Sequence, residues 1–541
     1  MRRALRRLSD ENFDLLIIGG GVTGASVARD AALRGLKVAL VEKNDFANAT
    51  SAHNSKLVHG GLRYLRNFEL GLVRESLKER RILQRIAPHL VHPLPFLVPL
   101  YGGGMKERAT LAAGLTLYDL LSFDKGRLDD PDQRLGNHRW LAKRDAIARE
   151  PMLDAENFEG AFLYFDAQMY SPERLALEFL IDADEHGAAL ANYVEAERLL
   201  VRNGHVEGST VRDSLTGERF EIRAKLTLVA TGPWADIFLA QALGKPATHK
   251  LMRSKGIHLL VPAMTKGDAL TVATRQGHFF VLPWRGHTLL GTTDTAFKDD
   301  PDAVSVSEND ILDFLAFINA HLPQAKLKRG DVRHFYAGLR PLVDDGSGNT
   351  YGASRKSELI DHAREDKVEG LLSAIGGKWT TSRHLAELIT SAVLEKLSLH
   401  GRPCTTATTP LPGARFARFG AFLAAEKAVH KLPSIEHLAH MYGARLPELL
   451  KQMDNRPDLA ASLGTNGDIA AQIVLAAREE MAVSLCDAVM RRTGIGQFGP
   501  PPRAVLDAAS KVMAQELGWN EDRRIREIDA LLPWFETREA A

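Results

Sequence analysis

The sequence predicts an α/β protein with a Rossmann-like domain at its amino end, a β-rich middle and an all-helical domain at its carboxyl end. Three observations carry this. Residues 14–42, DLLIIGGGVTGASVARDAALRGLKVALVE, read as strand, glycine turn, helix and second strand closing on an acid. Between 256 and 294, short apolar runs alternate with turn residues. Beyond about residue 415 the chain becomes Ala-, Leu- and Glu-rich with helical spacing.

The first element is the most informative. Leu15-Leu16-Ile17-Ile18 is a buried strand, and Val38 to Val41 is the second one. Gly19, Gly21 and Gly24 form G-x-G-x-x-G where strand meets helix. There the first glycine permits the turn, the second lets backbone approach a pyrophosphate, and the third lets helix pack on strand. The helix N-terminus offers unpaired N–H groups to that pyrophosphate. Glu42, eighteen positions beyond Gly24, is placed to accept a ribose hydroxyl. Two other glycine clusters lack this context. Gly494 to Gly499 repeats the pattern but follows a helix-like run and enters Pro500-Pro501-Pro502. Gly102-Gly103-Gly104 follows a run holding Pro95 and Pro99, which argues against a central strand there. Both read as loops. Only the N-terminal copy predicts dinucleotide binding, and the chain offers no separate nicotinamide domain.

Bulk properties narrow the class further. The net charge of +1 and ordinary composition point away from nucleic-acid binding and disorder. Cys404 and Cys486, far apart in sequence, suggest no disulfide scaffold, zinc site or redox pair, which fits a reducing compartment. The histidines show no metal-ligand spacing, and no metal is expected. No apolar run is long enough to span a bilayer. Arginines at 2, 3, 6 and 7 precede no apolar core, so a signal peptide does not fit. They suit either a solvated tail or contact with anionic lipid.

Along the chain, Phe68 to Ala87 reads as an amphipathic helix ended by Pro88. Residues 94–123 are loop-rich and apolar. Leu111 to Phe123 is expected to be a core helix, with insertion at a membrane surface as the alternative. Leu226 to Ala230, followed by Thr231-Gly232-Pro233-Trp234, reads as a buried strand able to rejoin the first sheet. Ile257 to Val261, Phe279 to Leu282 and Thr288 to Leu290 are predicted strands. Pro403 to Pro412 marks a domain boundary.

Three motifs are more specific: Ser55-Lys56-Leu57-Val58-His59-Gly60-Gly61-Leu62-Arg63-Tyr64-Leu65, Gly338-Leu339-Arg340-Pro341 and Gly376-Gly377-Lys378-Trp379-Thr380-Thr381. Through them, and through Asp487 to Thr493, nearly the whole chain resembles the FAD-dependent, aerobic respiratory glycerol-3-phosphate dehydrogenases. The resemblance implies an FAD-binding Rossmann-like domain interleaved with a β-rich substrate domain, then a C-terminal all-helical domain. The oxidoreductase region would cover 13–400. Its FAD-binding parts would be about 13–75, 160–235 and 335–395, its substrate parts about 76–159 and 236–334, and the helical domain 413–541. Two positions depart from the family pattern: Lys356 follows Arg355 where an Asp is usual, and Ser382 stands where Tyr is common.

The implied reaction is oxidation of sn-glycerol 3-phosphate to dihydroxyacetone phosphate by hydride transfer to FAD, with electrons passed to a membrane quinone. The implied location is cytoplasmic, peripherally attached to the inner face of the cell membrane, with a homodimer admitted. Gly19, Gly21, Gly24, Glu42, Ser51, Ser55, Thr231, Gly232, Gly377, Lys378 and Thr380 would bind the cofactor, with turn roles equally open for Ser51 and Ser55. Arg63, Tyr64, His258, Arg340, Arg355 and Lys378 would bind the phosphate-ester substrate. Arginine suits a phosphate dianion through its planar fork. Two charge-assisted bonds, at roughly 1.5–3 kcal/mol each, would favour the ester over free glycerol by about 3–6 kcal/mol. His258 is the candidate base, though its place between Ile257 and Leu259 suits a core histidine equally. Arg63 and Lys378 are candidates to hold a developing alkoxide. The competing readings are a glycerol-3-phosphate oxidase using oxygen, an amino-acid oxidase-like flavoenzyme, and a flavin-bound sensor or interaction protein.

Overall fold

The computed structural model describes residues 1–153, 156–274, 277–343 and 357–538. Two sheets and a helical domain enclose the central cavity. The first sheet has a parallel core in the order Ala189–Asn192, Val38–Glu42, Asn12–Ile18, Arg219–Val229 and Leu371–Gly376. Strands buried on both faces read as unbroken apolar runs, and Leu15, Leu16 and Ile17 are fully buried. The strand Asn12–Ile18 has its sequence neighbour Val38–Glu42 on one side and the distant Arg219–Val229 on the other. That reversal is a topological switch point, where ligands bind at the carboxyl ends of strands. The predicted returning strand over Leu226 to Ala230 takes this place. The helix Val22–Leu33 covers one face of the sheet, packed against the helices Pro172–Glu185 and Ser382–Lys396.

The second sheet, ten strands among the described residues, contains the three predicted strands within Leu251–Pro262, Gly277–Trp284 and His287–Gly291. Its backbone is the pairing of Leu251–Pro262 with His334–Val343. Phe158–Met169 and His334–Val343 both pair in this sheet.

Residues Val91–Tyr101 correct an expectation. They form an interior strand despite Pro95 and Pro99. Pro93, Pro95 and Pro99 share one parity, so the donors they remove fall on one edge of the strand. The long ladder runs along Phe158–Met169, whereas pairing on the other side is confined to Phe96 and Leu97.

The predicted helix after residue 68 is present as Leu70–Ile86. The apolar piece from Leu111 is also helical, within Gly104–Leu121, but it is not core. Only Leu115 and Tyr118 are buried, while Met105 is 88% and Leu120 66% exposed. Among the described residues no helix is long and apolar enough to cross a membrane. The N-terminal arginines are partly engaged: Arg3 pairs with Asp213 at 2.6 Å and Arg7 with Glu11 at 2.9 Å.

The C-terminal helices pack around their own apolar core, from Phe419 to Leu531. Buried ion pairs tie them to the rest. Arg491 and Arg492 meet Asp45 at 2.6 and 2.7 Å, and Arg174 meets Glu480 at 2.6 Å. Such pairs stabilise little in net terms, because desolvation opposes them, but breaking one strands a buried charge. Of the extra glycine clusters, Gly102 and Gly103 lead into the helix that starts at Gly104, while Gly494 to Gly499 is a turn that delivers Gln497 to Arg285 at 2.9 Å.

Candidate active site

A cavity of about 1350 Å³ opens at the switch point and extends between the two sheets. Its dinucleotide end is built by backbone geometry. Gly19 has φ +114°, and a Cβ there would lie 2.6 Å from the Ala230 carbonyl oxygen. A Cβ on Gly24 would lie 1.9 Å from the Gly19 carbonyl oxygen, so helix and turn touch only because Gly24 has none. Gly21 caps the helix Val22–Leu33 and lines the cavity. The Ser51 hydroxyl accepts the Val22 N–H at 2.8 Å. Glu42 lines the same wall and accepts N–H groups from Gly20 at 2.7 Å and Asn44 at 3.0 Å. Burial raises its pKa against the pull of those two donors. On the returning strand's far end, Thr231 and Gly232 line the cavity. The Thr231 hydroxyl is buried with no hydrogen-bond partner among the described residues. A glycine cradle, a helix N-terminus and an orphan hydroxyl on one wall fit a bound dinucleotide.

The other end is cationic. Gly61, with φ +76°, turns the chain into the short helix Leu62–Asn67, which carries Arg63 and Tyr64. The strand Leu371–Gly376 is followed directly by Gly377 and Lys378. The Arg63 guanidinium lies 4.9 Å and the Lys378 ammonium 4.4 Å from the centre of the Tyr64 ring. Lys378 Nζ donates to Ser76 Oγ at 2.8 Å. Trp379 Nε1 donates to the Ser51 carbonyl at 3.1 Å, and the His59 N–H donates to Thr380 Oγ1 at 3.2 Å. The Gly377-Lys378-Trp379-Thr380 motif is thereby fastened to the Ser51–Tyr64 stretch. Burial, with Lys378 and Arg63 nearby, pushes the pKa of His59 down to about 3, so it stays neutral.

Arg340 reaches the cavity from the strand His334–Val343. Nη1 donates to Ser254 Oγ at 3.1 Å and Nη2 to Thr292 Oγ1 at 2.7 Å, which aims the fork. A Cβ on Gly256 would sit 2.2 Å from Nη2. Arg355 lies outside the described residues.

His258 is placed differently from expectation. As a proposed substrate contact it should line the cavity, yet it is 2% exposed and lies behind the wall. Its ring stacks on Tyr336 at 5.0 Å, and Nε2 meets Ser55 Oγ at 2.8 Å. Ser55 does line the cavity. Burial, then the charges of Arg340 and Lys56, holds the His258 pKa well below the usual histidine range. The adjoining Lys56 of the same motif is a buried ion-pair partner of Glu173, not a cavity residue.

The structure thus gathers Gly19, Gly21, Glu42, Ser51, Ser55, Thr231, Gly232, Arg63, Tyr64, Arg340, Gly377, Lys378 and Thr380 around one cavity, with Gly24 just behind the cradle. Sequence reasoning missed Ser254 and Thr292, which hold Arg340, and Asp166, which closes the wall near Gly60. The polar run Thr292-Thr293-Asp294 directly after a strand was the available signal.

Comparison with known proteins gives a consistent result. The profile described as FAD dependent oxidoreductase matches residues 14–391, and that of the C-terminal domain of alpha-glycerophosphate oxidase matches residues 404–524. The chain is 36% identical to a Synechocystis glycerol-3-phosphate dehydrogenase over 99% of this chain and 98% of that protein. It is 31% identical to an aerobic glycerol-3-phosphate dehydrogenase of Bacillus subtilis, over 98% and 96%. Among solved structures, the glycerol-3-phosphate dehydrogenase from Bacillus halodurans complexed with FAD superimposes with a TM-score of 0.78 at 28% identity, covering 98% of this chain and 96% of that one.

Proposed function

The chain belongs to the FAD-dependent glycerol-3-phosphate dehydrogenases, and on that premise we propose that it oxidises sn-glycerol 3-phosphate to dihydroxyacetone phosphate and delivers the electrons to a membrane quinone. The observation carrying this reading is one cavity that joins the glycine cradle to Arg63, Lys378 and Arg340. FAD, when bound in the cradle, supplies the hydride acceptor.

The side chains divide the remaining work. The Arg340 fork, held by Ser254 and Thr292, receives the phosphate dianion with two-pronged geometry. Arg63 and Lys378, both against the Tyr64 ring, stabilise negative charge on the C2 oxygen as its proton leaves. That proton passes to Ser55 Oγ, which gives its own to His258 Nε2 across 2.8 Å. The lowered pKa of His258 keeps the imidazole neutral and able to accept.

The quinone acceptor is supported by an apolar part of the cavity lining made by Leu62, Leu65, Phe96, Val98, Leu100 and Leu111, which belong to one apolar cluster. Leu111 lies on the helix Gly104–Leu121, which also carries the exposed Met105 and Leu120, and Phe68 and Phe123 are exposed as well. Those side chains support peripheral attachment to the inner face of the cell membrane. The match to an alpha-glycerophosphate oxidase domain favours oxygen as a second acceptor reading.

Anaerobic addition of sn-glycerol 3-phosphate to the flavin-loaded protein is expected to bleach its colour, and a quinone is expected to restore it faster than oxygen. Bleaching by an amino acid alone would overturn the substrate assignment. Faster recovery with oxygen would overturn the quinone assignment.

A further inference from the structure

One wall of the cavity comes from an unexpected part of the chain. Pro533, Trp534, Glu536 and Arg538 line it, although they follow the last long helix of the C-terminal domain, Glu521–Leu531, from its short continuation Leu532–Phe535 onward, and lie beyond the residues matched by either family profile. Trp534 and Phe535 are rooted on the helical domain's apolar core. From there the segment crosses to the second sheet's domain, where the Arg538 N–H donates to the Val306 carbonyl at 2.9 Å. Between these anchors it lies over the loop that follows the dinucleotide cradle. The Trp534 ring meets that of His53 edge-on at 6.3 Å, and Phe535 meets His334 at 5.7 Å.

The loop beneath is held from the same side. Arg491, whose guanidinium lies 5.8 Å from the Trp534 ring, donates to Asp45 at 2.6 Å and to Asn48 at 2.8 Å. Asn48, Thr50, Ser51 and His53 all line the cavity. They lie on the stretch joining the cradle residues to the Ser55–Tyr64 motif, where an extended dinucleotide must pass to have one end in the cradle and the other beside Lys378. A second bridge, Lys43 to Asp302 at 2.9 Å, spans the same side of the cavity.

The geometry points to the segment Pro533–Arg538 as a cofactor-retaining strap: a binding element for FAD contributed by the C-terminal domain. It lies along the side of the cavity, so the ligand leaves sideways only after the strap detaches. This rests on the FAD reading above. Among the described residues one backbone hydrogen bond, Arg538 to Val306, and the ring contacts with His53 and His334 hold the strap to the sheets, while its root stays packed on the helical core, whereas the cradle is part of a buried sheet. Detachment is therefore a local event, at the low-stability end of the molecule.

The test measures FAD release from the holoenzyme, followed as recovery of flavin fluorescence on dilution. Three variants are compared: Arg538→Pro, which deletes the anchoring donor, Trp534→Ala, and a chain ending at Leu532. Each is expected to release FAD about tenfold faster or more, and a protease should cut within 532–538 in the flavin-free protein before the flavin-loaded one. Should the shortened chain disturb the helical domain, the two point variants decide. Unchanged release in both, with flavin bound, overturns the strap while leaving the function reading intact. A protein that takes up no flavin overturns both.

Discussion

Ser55 Oγ and His258 Nε2 lie 2.8 Å apart, and of the two only Ser55 lines the cavity. On the proposed function, a histidine placed this way would act on substrate through its hydroxyl partner, and the pair would behave as one unit. Ser55→Ala and His258→Asn are each expected to lower kcat by about a hundred- to a thousandfold, within the range for proton transfer. The double variant should be no slower than the slower single one, because groups acting in series are not additive. Independent, multiplying effects in stopped-flow reduction of the flavin would separate the two residues.

The same geometry sets a pH dependence. Burial keeps the His258 pKa well below its usual 6.5, so the imidazole is neutral throughout the neutral range and gains its proton only in acid. Because the neutral form is the acceptor, kcat/KM should stay level through neutrality and fall on the acid side alone. An acid limb centred at or above 6.5 in the wild type, absent from His258→Asn, would contradict the depressed value.

Arg340 is expected to act on substrate affinity. Arg340→Lys keeps the charge but loses the fork aimed by Ser254 and Thr292. Loss of one charge-assisted bond, about 1.5–3 kcal/mol, should raise KM for sn-glycerol 3-phosphate roughly ten- to hundredfold. The flavin should remain bound. An unchanged KM would remove Arg340 from the phosphate site.

Gly24→Ala is the sharpest test of the cradle. Its Cβ would fall 1.9 Å from the Gly19 carbonyl oxygen, a backbone atom that cannot swing away. The turn must shift, and the variant should purify colourless or poorly folded. Gly21→Ala meets only Ser51 Oγ at 3.2 Å and should fold, with weaker FAD binding visible in a flavin titration. Equal flavin content in wild type and Gly24→Ala would refute this account of the turn.

Histidines at the boundary between the sheets and the helical domain tie stability to pH. His92 and His440 lie 4.7 Å apart, with Tyr170 stacked on His440 at 4.6 Å and Arg285, His437, His89 and Glu436 nearby. Burial holds His440 at about 4, below its usual 6.5. The unfolded chain therefore binds this proton more readily. Stability is complete above 6.5 and declines as pH falls toward 4, by an order of 1–3 kcal/mol. Thermal melts across this range should show the decline, and His92→Phe with His440→Phe should flatten it. A Tm that is level from neutral pH to about pH 4.5 would contradict the linkage.

Gly19, Gly21, Gly24 and Glu42 were readable from the chain alone, because a phosphate cradle is a local backbone requirement met by contiguous residues. The returning strand before Thr231 and the switch to helices from about residue 415 were legible for the same reason, through apolar period and turn chemistry. Tertiary packing decided what no contiguous stretch contains. It buried His258 behind Ser55, aimed Arg340 through Ser254 and Thr292, and made Val91–Tyr101 an interior strand with a long ladder on one side and a two-residue pairing on the other. It also left the apolar helix Gly104–Leu121 at the surface and brought Trp534 to the cavity wall. Backbone conformation is dictated by neighbours in sequence, whereas burial and aim depend on which distant segments arrive, and only the folded chain specifies that.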